Sequence, residues 1–218
     1  MLDPQQSLAA LALEHPECEA VLRRFNLDLC GHGQAPLARA CAERGVPLRD
    51  LLAALDEVLE QGSDPMLLDP RTFSSHELAE HLCARYGGLA RRALPQLRKV
   101  AAHLARVHGD AGLCMLSREL DRLAVLLEAN LQDLERSLLA PLREGGRPAP
   151  PLLERLGAGQ REVLALLDEV RTAATGFVAP SEACPSWSAL YRDLAMLEAE
   201  VLRRLHLEAN LLFPQLRA

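Results

Sequence analysis

Aromatic residues are scarce in this sequence, where phenylalanine, tryptophan and tyrosine together make up 3% of the 218 residues. Strand-forming residues are also few beside leucine, alanine, glutamate and arginine, which disfavours a β-sandwich or barrel and favours helices. An excess of basic charge is lacking as well, since the formal net charge is −6, so we expect no nucleic-acid partner. With 49% hydrophobic residues the chain can nevertheless bury a sizeable core, and we predict an all-α protein.

Long apolar runs are missing too. None reaches the roughly 20 residues of a membrane-spanning helix, so we expect no membrane partner. The first residues contain no basic region before an apolar stretch, which argues against a signal peptide. The six cysteines are scattered without a Cys-x-x-Cys motif, a pattern typical of reduced thiols in a cytoplasmic protein. We find no phosphate-binding loop, nucleophile triad or nucleotide fingerprint, and we expect no enzymatic activity.

Proline and glycine divide the first part of the chain into short segments. Helices of a few turns are predicted near residues 16–27, 36–44 and 47–61, each with a proline near its start. The stretch Gly62-Ser63-Asp64-Pro65 is the best linker candidate. We therefore predict a short helical N-terminal domain over residues 1–62 and a second domain over residues 74–218.

The predicted helices lengthen from Ser74 onwards. Apolar residues recur at intervals of three and four, the pattern of one buried helix face, over residues 74–107, 111–142, 151–175 and 186–213. Four long amphipathic helices with short connections predict an antiparallel four-helix bundle. The pair Gly87-Gly88 interrupts the first of them, which predicts a kink or a place where a bulky group needs room.

Polar residues interrupt or border the apolar stripes of three of these helices. The string Leu-Glu-Ala-Asn-Leu occurs at residues 127–131 and again at 207–211, and it places Glu128 and Glu208 on or beside the stripes. Gln160 lies on the apolar face of the third helix, and Arg204 lies four residues before Glu208. Buried charges need partners, water or an ion, so these side chains predict a polar layer in the bundle. The alternative is that both glutamates and Arg204 lie at a solvated edge.

Several motifs together resemble one family, the hemerythrin-like di-iron proteins that repair iron centres (ScdA-type). Residues 25–33, Phe-Asn-Leu-Asp-Leu-Cys-Gly-His-Gly, resemble its short N-terminal domain. Residues 80–86, Glu-His-Leu-Cys-Ala-Arg-Tyr, resemble the opening helix of its bundle, and residues 180–184 with Trp187 and Tyr191 resemble the approach to the last helix. The string Leu-Glu-Ala-Asn-Leu-Leu-Phe-Pro at 207–214 is similar to the closing string of the family. The resemblance covers almost the whole chain and implies a hemerythrin-like bundle.

The resemblance also implies where metal ligands would lie. In this family two irons are bound by one histidine from each helix and by two bridging glutamates, each four residues after a histidine. Carried over to this sequence, the histidine positions are Gly87, Ala124, Gln160 and Arg204, and the glutamate positions are Glu128 and Glu208. Both glutamates are present and all four histidines are replaced. His206 is two residues from the required position, which turns it about 200° around the helix. We therefore expect no di-iron cofactor.

A metal-free arrangement of the polar layer is our hypothesis. Arg204 would pair with Glu208 along its own helix and with Glu128 across the bundle, while Gln160 completes the hydrogen bonds. The guanidinium would then balance the charge that the irons balance in the family, and Gly87 would make room for it.

The N-terminal turn Cys30-Gly31-His32-Gly33 is a second candidate site. Cys30 and His32 could share a soft metal or haem iron, or Cys30 could be a redox thiol, although two ligands do not close a metal site. The alternative is a helix C-cap in which Gly33 supplies a positive φ. The remaining cysteines are predicted to act as small hydrophobes, and His108 to complement a helix C-terminus. These cysteines are Cys18, Cys41, Cys83, Cys114 and Cys184.

Three functions are compatible with the sequence. The first is a non-catalytic relative of the iron-centre repair proteins in the response to nitrosative or oxidative stress, acting through a protein partner as a homodimer or as a heterodimer with an intact paralogue. The second is a working iron-binding repair protein that uses Glu128, Glu208 and ligands outside the family pattern, or Cys30 and His32, with di-iron as its cofactor. The third is a sensor whose vacated bundle cavity holds a small molecule.

Overall fold

The computed structural model describes residues 2–27, 29, 32–61 and 69–217, and the regular elements within these ranges are helices. The all-α prediction is therefore confirmed. The proposed linker at residues 62–65 lies outside the described residues, as do Cys30 and Gly31. The chain divides into two compact units, one containing residues up to Ser74 together with Leu205–Leu216, and the other containing Ser75–Arg204. Within the described part, no helix is long and apolar enough to cross a membrane.

Four short helices make up most of the first unit: α1 (Leu8–Glu14), α2 (Cys18–Arg24), α3 (Leu37–Arg44) and α4 (Leu48–Gln61). Ser7 begins the first of them, because its Oγ accepts a hydrogen bond from the Ala10 N–H at 3.1 Å. Asn26 takes a left-handed conformation, with φ of 55°, just after α2. Leucines from all four helices, with Cys18 and Cys41, form one buried core.

The rest of the described chain, most of it in the second unit, forms long helical rods and contains three π-helical stretches. The elements are α5 (Ser75–His81), π1 (Leu82–Gly87), α6 (Gly88–His108), α7 (Ala111–Asp133), π2 (Leu134–Leu139), α8 (Ala140–Arg143), α9 (Pro150–Ala173), α10 (Pro185–Leu207), π3 (Glu208–Leu212) and α11 (Phe213–Arg217). The helical spans agree with the four predicted long helices to within a few residues at most ends. The irregularity expected at Gly87-Gly88 takes the form of π1 rather than a break.

Ion pairs between neighbouring helices show that the rods of the second unit run antiparallel. The pairs are Arg91–Glu128 and Arg98–Asp121 for α6 with α7, Arg122–Glu169 and Arg155–Asp133 for α7 with α9, and Arg171–Glu198 for α9 with α10. Within the first two helix pairs, residue numbers rise along one helix as they fall along the other. Leucines at the predicted stripe positions, such as Leu120, Leu123 and Leu127, are buried between the rods. The unit is the antiparallel bundle that the apolar stripes predicted.

The turn between α6 and α7 is tight. His108 is the last residue of α6, and Gly109 follows in a left-handed conformation with φ of 62°. Asp110 then starts α7, because its Oδ1 accepts a hydrogen bond from the Leu113 N–H at 2.8 Å. This turn places the His108 ring at the end of the bundle that contains the start of α10.

Candidate metal centre

A buried guanidinium lies within the bundle. Arg204, on α10, is only 1% exposed, and its Nη2 donates a hydrogen bond to Oδ1 of Asn130, on α7, over 2.5 Å. Asn130 is itself 8% exposed, so donor and acceptor are both removed from water. A charge-assisted hydrogen bond in such surroundings is stronger than a neutral one. The predicted burial of Arg204 is therefore observed, with an amide as an acceptor.

A third helix packs closely on this pair. Gly159, on α9, has no side chain, and a Cβ atom built on it would lie 3.1 Å from Nδ2 of Asn130. The next residue, Gln160, is buried as the sequence predicted. We call Arg204, Asn130 and Gly159 the Arg204 cluster. A cleft of about 550 Å³ between α7 and α9 has Asn130 and Gly159 in its lining, together with Arg136 and Arg155.

Asn130 was not among the predicted site residues, although the sequence contained a signal for it. It follows Leu127 by three residues and precedes Leu134 by four, so it lies on the apolar stripe of its helix. The repeated string drew attention to Glu128 instead, which is one residue after Leu127 and therefore turned about 100° away from it. Glu128 is charged and repeated in the second string, but Asn130 is the residue that points into the bundle.

Glu128 is at the edge of the bundle. Its side chain is 40% exposed, and Arg91 donates to both carboxylate oxygens, from Nε over 2.9 Å and from Nη2 over 3.0 Å. Gln132 donates a third hydrogen bond, and Arg91 also bridges to Glu135. The hydrogen bonds from Arg91 are the main reason that the pKa of Glu128 is lowered. The predicted pairing of Arg204 with Glu128 is wrong. Glu128 is one residue beyond the buried Leu127, so its side chain is rotated about 100° away from the buried face of the helix.

Gly87 and Ala124 supply space rather than ligands. Gly87 is buried at the end of π1, where a Cβ atom would lie 3.1 Å from Cδ2 of Leu131. The room beside it is therefore filled by a leucine, and the prediction that Gly87 accommodates Arg204 is wrong. Ala124 is half-buried on α7, in a small groove that Arg91 and Glu128 also line. Neither residue has a side-chain atom that can bind a metal.

Glu208 and its neighbours belong to the first unit. Glu208 is the first residue of π3 and is 2% exposed, so the carboxylate of the second Leu-Glu-Ala-Asn-Leu string is buried, unlike that of the first. His206 is also buried, and its Nδ1 lies 3.0 Å from Nδ2 of Asn210. The pairing of Arg204 with Glu208 stays a prediction.

Asn210 connects the end of the last long helix to the N-terminal turn. Its Nδ2 donates to the carbonyl oxygen of Leu29 over 3.0 Å, and its Oδ1 accepts from Gln34 over 3.2 Å. A Cβ atom on Gly33 would lie 2.3 Å from that carbonyl oxygen and 2.8 Å from Asn210 Oδ1. Among the described glycines, positive φ angles occur at positions other than Gly33, so the C-cap explanation is wrong and close approach is the reason for glycine here.

The N-terminal candidate site is described only in part. Cys30 lies outside the described residues, so its predicted pairing with His32 stays a prediction. His32 is exposed and lines a groove of about 190 Å³ together with Glu43 and residues of α1 and α3.

The residues at the carried-over positions do not fit a di-iron centre. Two of the four histidine positions have no donor atom, Gln160 offers an amide, and Arg204 brings a fixed positive charge that repels a cation. Among the described residues, no three histidine, cysteine, aspartate or glutamate side chains are grouped so that they could hold a metal ion together.

Comparisons with known proteins agree with the motifs and the fold. Residues 4–59 match the ScdA_N model, a domain of unknown function, and residues 88–216 match the hemerythrin HHE cation-binding domain. The chain is 30% identical to the iron-sulfur cluster repair protein YtfE of Shigella boydii serotype 4 over 213 residues, which cover 96% of each chain. It is 29% identical, with the same coverage, to the YtfE proteins of Salmonella paratyphi B and Salmonella newport. The chain therefore belongs to the hemerythrin-domain family of the iron-sulfur cluster repair proteins.

Proposed function

We propose that this chain is a member of the repair family in which a metal-free polar cluster replaces the di-iron site, and that it acts through a protein partner in the response to nitrosative or oxidative stress. The hydrogen bond between buried Arg204 and Asn130 is the observation that carries this proposal. A guanidinium remains protonated at any physiological pH, so it is a permanent positive charge inside the bundle. Burial also lowers the pKa of the adjacent Arg203, to about 10, and this side chain too remains charged at neutral pH.

The position of Asn130 supports a different assignment of the family's ligand positions to the residues of α7, which we call a different register. If Arg204 marks the fourth histidine position, the residue that its side chain reaches, Asn130, marks the second in place of Ala124. The glutamate expected four residues later then falls on Leu134, which is buried. In this register Glu208 is the one carboxylate left in the ligand set. One carboxylate without imidazoles does not neutralise and bridge two iron ions, so this register supports loss of the centre.

The family matches favour a second candidate, a working iron-binding repair protein. The matched bundle model is described as cation-binding, and the relatives are named as iron-sulfur cluster repair proteins. Iron would then be held by Glu208 and Glu128 with ligands outside the family pattern, or by Cys30 and His32.

Iron analysis separates the two candidates. The full chain is produced in iron-supplemented medium, purified without chelators and analysed by plasma mass spectrometry and visible absorption. Our proposal predicts well under one iron per chain, no oxo-bridge absorption, and the same unfolding temperature before and after treatment with a chelator. About two irons per chain would overturn it. In that case Glu208→Gln would identify a bundle site by losing the metal, and His32→Ala would identify the N-terminal turn.

The proposed partner is tested on its own. Light scattering after size exclusion gives the mass of the chain alone, and co-purification with an intact, iron-binding relative tests the heterodimer. A monomer that binds neither itself nor such a relative would contradict this part of the proposal.

A further inference from the structure

A cysteine and a histidine from distant parts of the sequence meet at one end of the second unit. Cys184 Sγ lies 3.5 Å from Nε2 of His108, within hydrogen-bonding distance for sulfur. Cys184 is partly exposed and His108 is exposed, so reagents in solution can reach the pair. The prediction that Cys184 acts as a small hydrophobe is wrong, because its sulfur has a polar partner.

The two members of the pair lie at helix ends of opposite polarity. Cys184 immediately precedes α10, and its carbonyl oxygen accepts hydrogen bonds from the N–H groups of Trp187 and Ser188, so its side chain lies at the positive N-terminal end of that helix. His108 is the last residue of α6, at a negative C-terminal end. The N-terminal end of a helix favours negative charge, and the C-terminal end favours positive charge.

Charged and aromatic residues flank the pair. Asp110 and Glu182 lie two residues along the chain from His108 and Cys184, respectively. The indole ring of Trp187 packs against His108 with ring centroids 5.3 Å apart. Trp187 is buried, and its Nε1–H has no hydrogen-bond acceptor among the residues that the structure describes. The pair therefore combines a nucleophile and a base beside a buried indole ring.

We propose that Cys184 is a reactive thiol, activated by His108, and that it is a modification site for a hydroperoxide. His108 Nε2 takes the thiol proton, and the thiolate sulfur attacks one peroxide oxygen. The S–O bond forms to the terminal oxygen as the O–O bond breaks, and the departing alkoxide, or hydroxide from hydrogen peroxide, takes the proton from the imidazolium and leaves as the alcohol or water. The sulfur is oxidised to a sulfenic acid, and the hydroperoxide is reduced to the alcohol, or to water in the case of hydrogen peroxide.

The chain contains its own matched control. Cys114 is exposed and lies in the first turn of α7, so it also experiences a positive helix end, but its side chain makes no hydrogen bond or ion pair with the residues described here. A difference in rate between Cys184 and Cys114 therefore measures the contribution of the imidazole. Burial raises the pKa of Cys18 to about 12 and also raises the pKa of Cys41, so both are expected to react slowly.

The experiment treats the full-length protein with hydrogen peroxide at pH 7, traps sulfenic acid with dimedone and measures each cysteine by peptide mass spectrometry. We expect Cys184 to be labelled about tenfold or more faster than Cys114. His108→Ala and His108→Gln should each reduce the Cys184 rate to that of Cys114 and leave Cys114 unchanged. Trp187 is the single tryptophan, so its fluorescence should change in the wild-type protein at the rate of labelling.

Equal labelling of Cys184 and Cys114 in the wild-type protein would overturn the proposal without any variant. It would also fail if both His108 variants, folded as judged by circular dichroism, kept the fast rate at Cys184. The result is independent of the iron content of the bundle, so this inference and the proposed function can fail separately.

Discussion

Asn130 is the single residue whose removal we expect to disturb the bundle interior most specifically. It accepts a hydrogen bond from a guanidinium that is almost completely withdrawn from water, and it packs on the bare backbone at Gly159. Removing an acceptor from a buried charged donor costs the desolvation of that donor as well as the hydrogen bond. Glu128, two residues earlier on the same helix, faces solvent and provides the natural comparison.

Replacing Asn130 by alanine should therefore lower the free energy of unfolding by about 2–3 kcal/mol, because Arg204 loses an acceptor inside the bundle. The control is Glu128→Gln, which weakens an exposed ion pair with Arg91 and should cost about 1 kcal/mol or less. Urea unfolding followed by circular dichroism measures both. Equal losses for the two variants would show that the Arg204 cluster contributes no more than a surface pair.

The helices themselves contain features that spacing in the sequence does not reveal. Three π-helical stretches occur in the described part of the chain, and Gly87 ends one of them while Glu208 begins another. A π stretch adds a residue to a turn, so residues beyond it occupy a different face from the one that a period of 3.6 predicts. Counting along the sequence therefore becomes less reliable near the positions where the resemblance predicts metal ligands.

The start of α7 offers a test of one element. Asp110→Ala removes the side-chain acceptor for the Leu113 N–H and should lower the free energy of unfolding by about 1 kcal/mol, whereas Asp110→Asn should retain most of the stability because its amide oxygen can accept the same bond. Thermal or urea unfolding of the three proteins measures the difference. If alanine and asparagine behave alike, the cap is not the source of the effect.

At the scale of the whole molecule, ion pairs between the antiparallel rods of the second unit add to the stabilisation that its buried leucines provide. Arg155 is the main reason that the pKa of Asp133 is lowered, just as Arg91 lowers that of Glu128. A carboxyl group with a lowered pKa binds fewer protons in the folded state than in the unfolded state. Its stabilisation is complete above the unfolded-state pKa, near 4, and disappears as the pH falls through the lower folded-state value.

We therefore expect the urea midpoint to be nearly constant from neutral pH down to about pH 5 and to fall between about pH 5 and pH 3. Each exposed pair contributes about 1 kcal/mol or less, so the decline should be gradual. Glu128→Gln should make the decline shallower, since its side chain no longer titrates. A midpoint that rises on acidification would contradict the assignment of these pairs.

Much of the architecture was predictable because it depends on local patterns. The three- and four-residue spacing of leucines specifies helices and their buried faces, so the four long rods and the antiparallel bundle followed from the chain alone. The closing string at 207–214 and the turn at 25–33 indicated the family. The resemblance also predicted that Gly87, Gln160 and Arg204 stand where the family has histidines, and this replacement stays a prediction.

Only the tertiary structure decided which side chains contact each other inside the bundle. These contacts depend on how each helix is rotated and on residues that lie far apart in the chain. Arg204 donates a hydrogen bond to Asn130, whereas Glu128, only two residues earlier on the same helix, pairs with Arg91. Leu131 fills the space beside Gly87, and Cys184 meets His108 across 76 residues of sequence. A rotation of one helix by 100° would exchange inward and outward residues while leaving every spacing in the sequence unchanged.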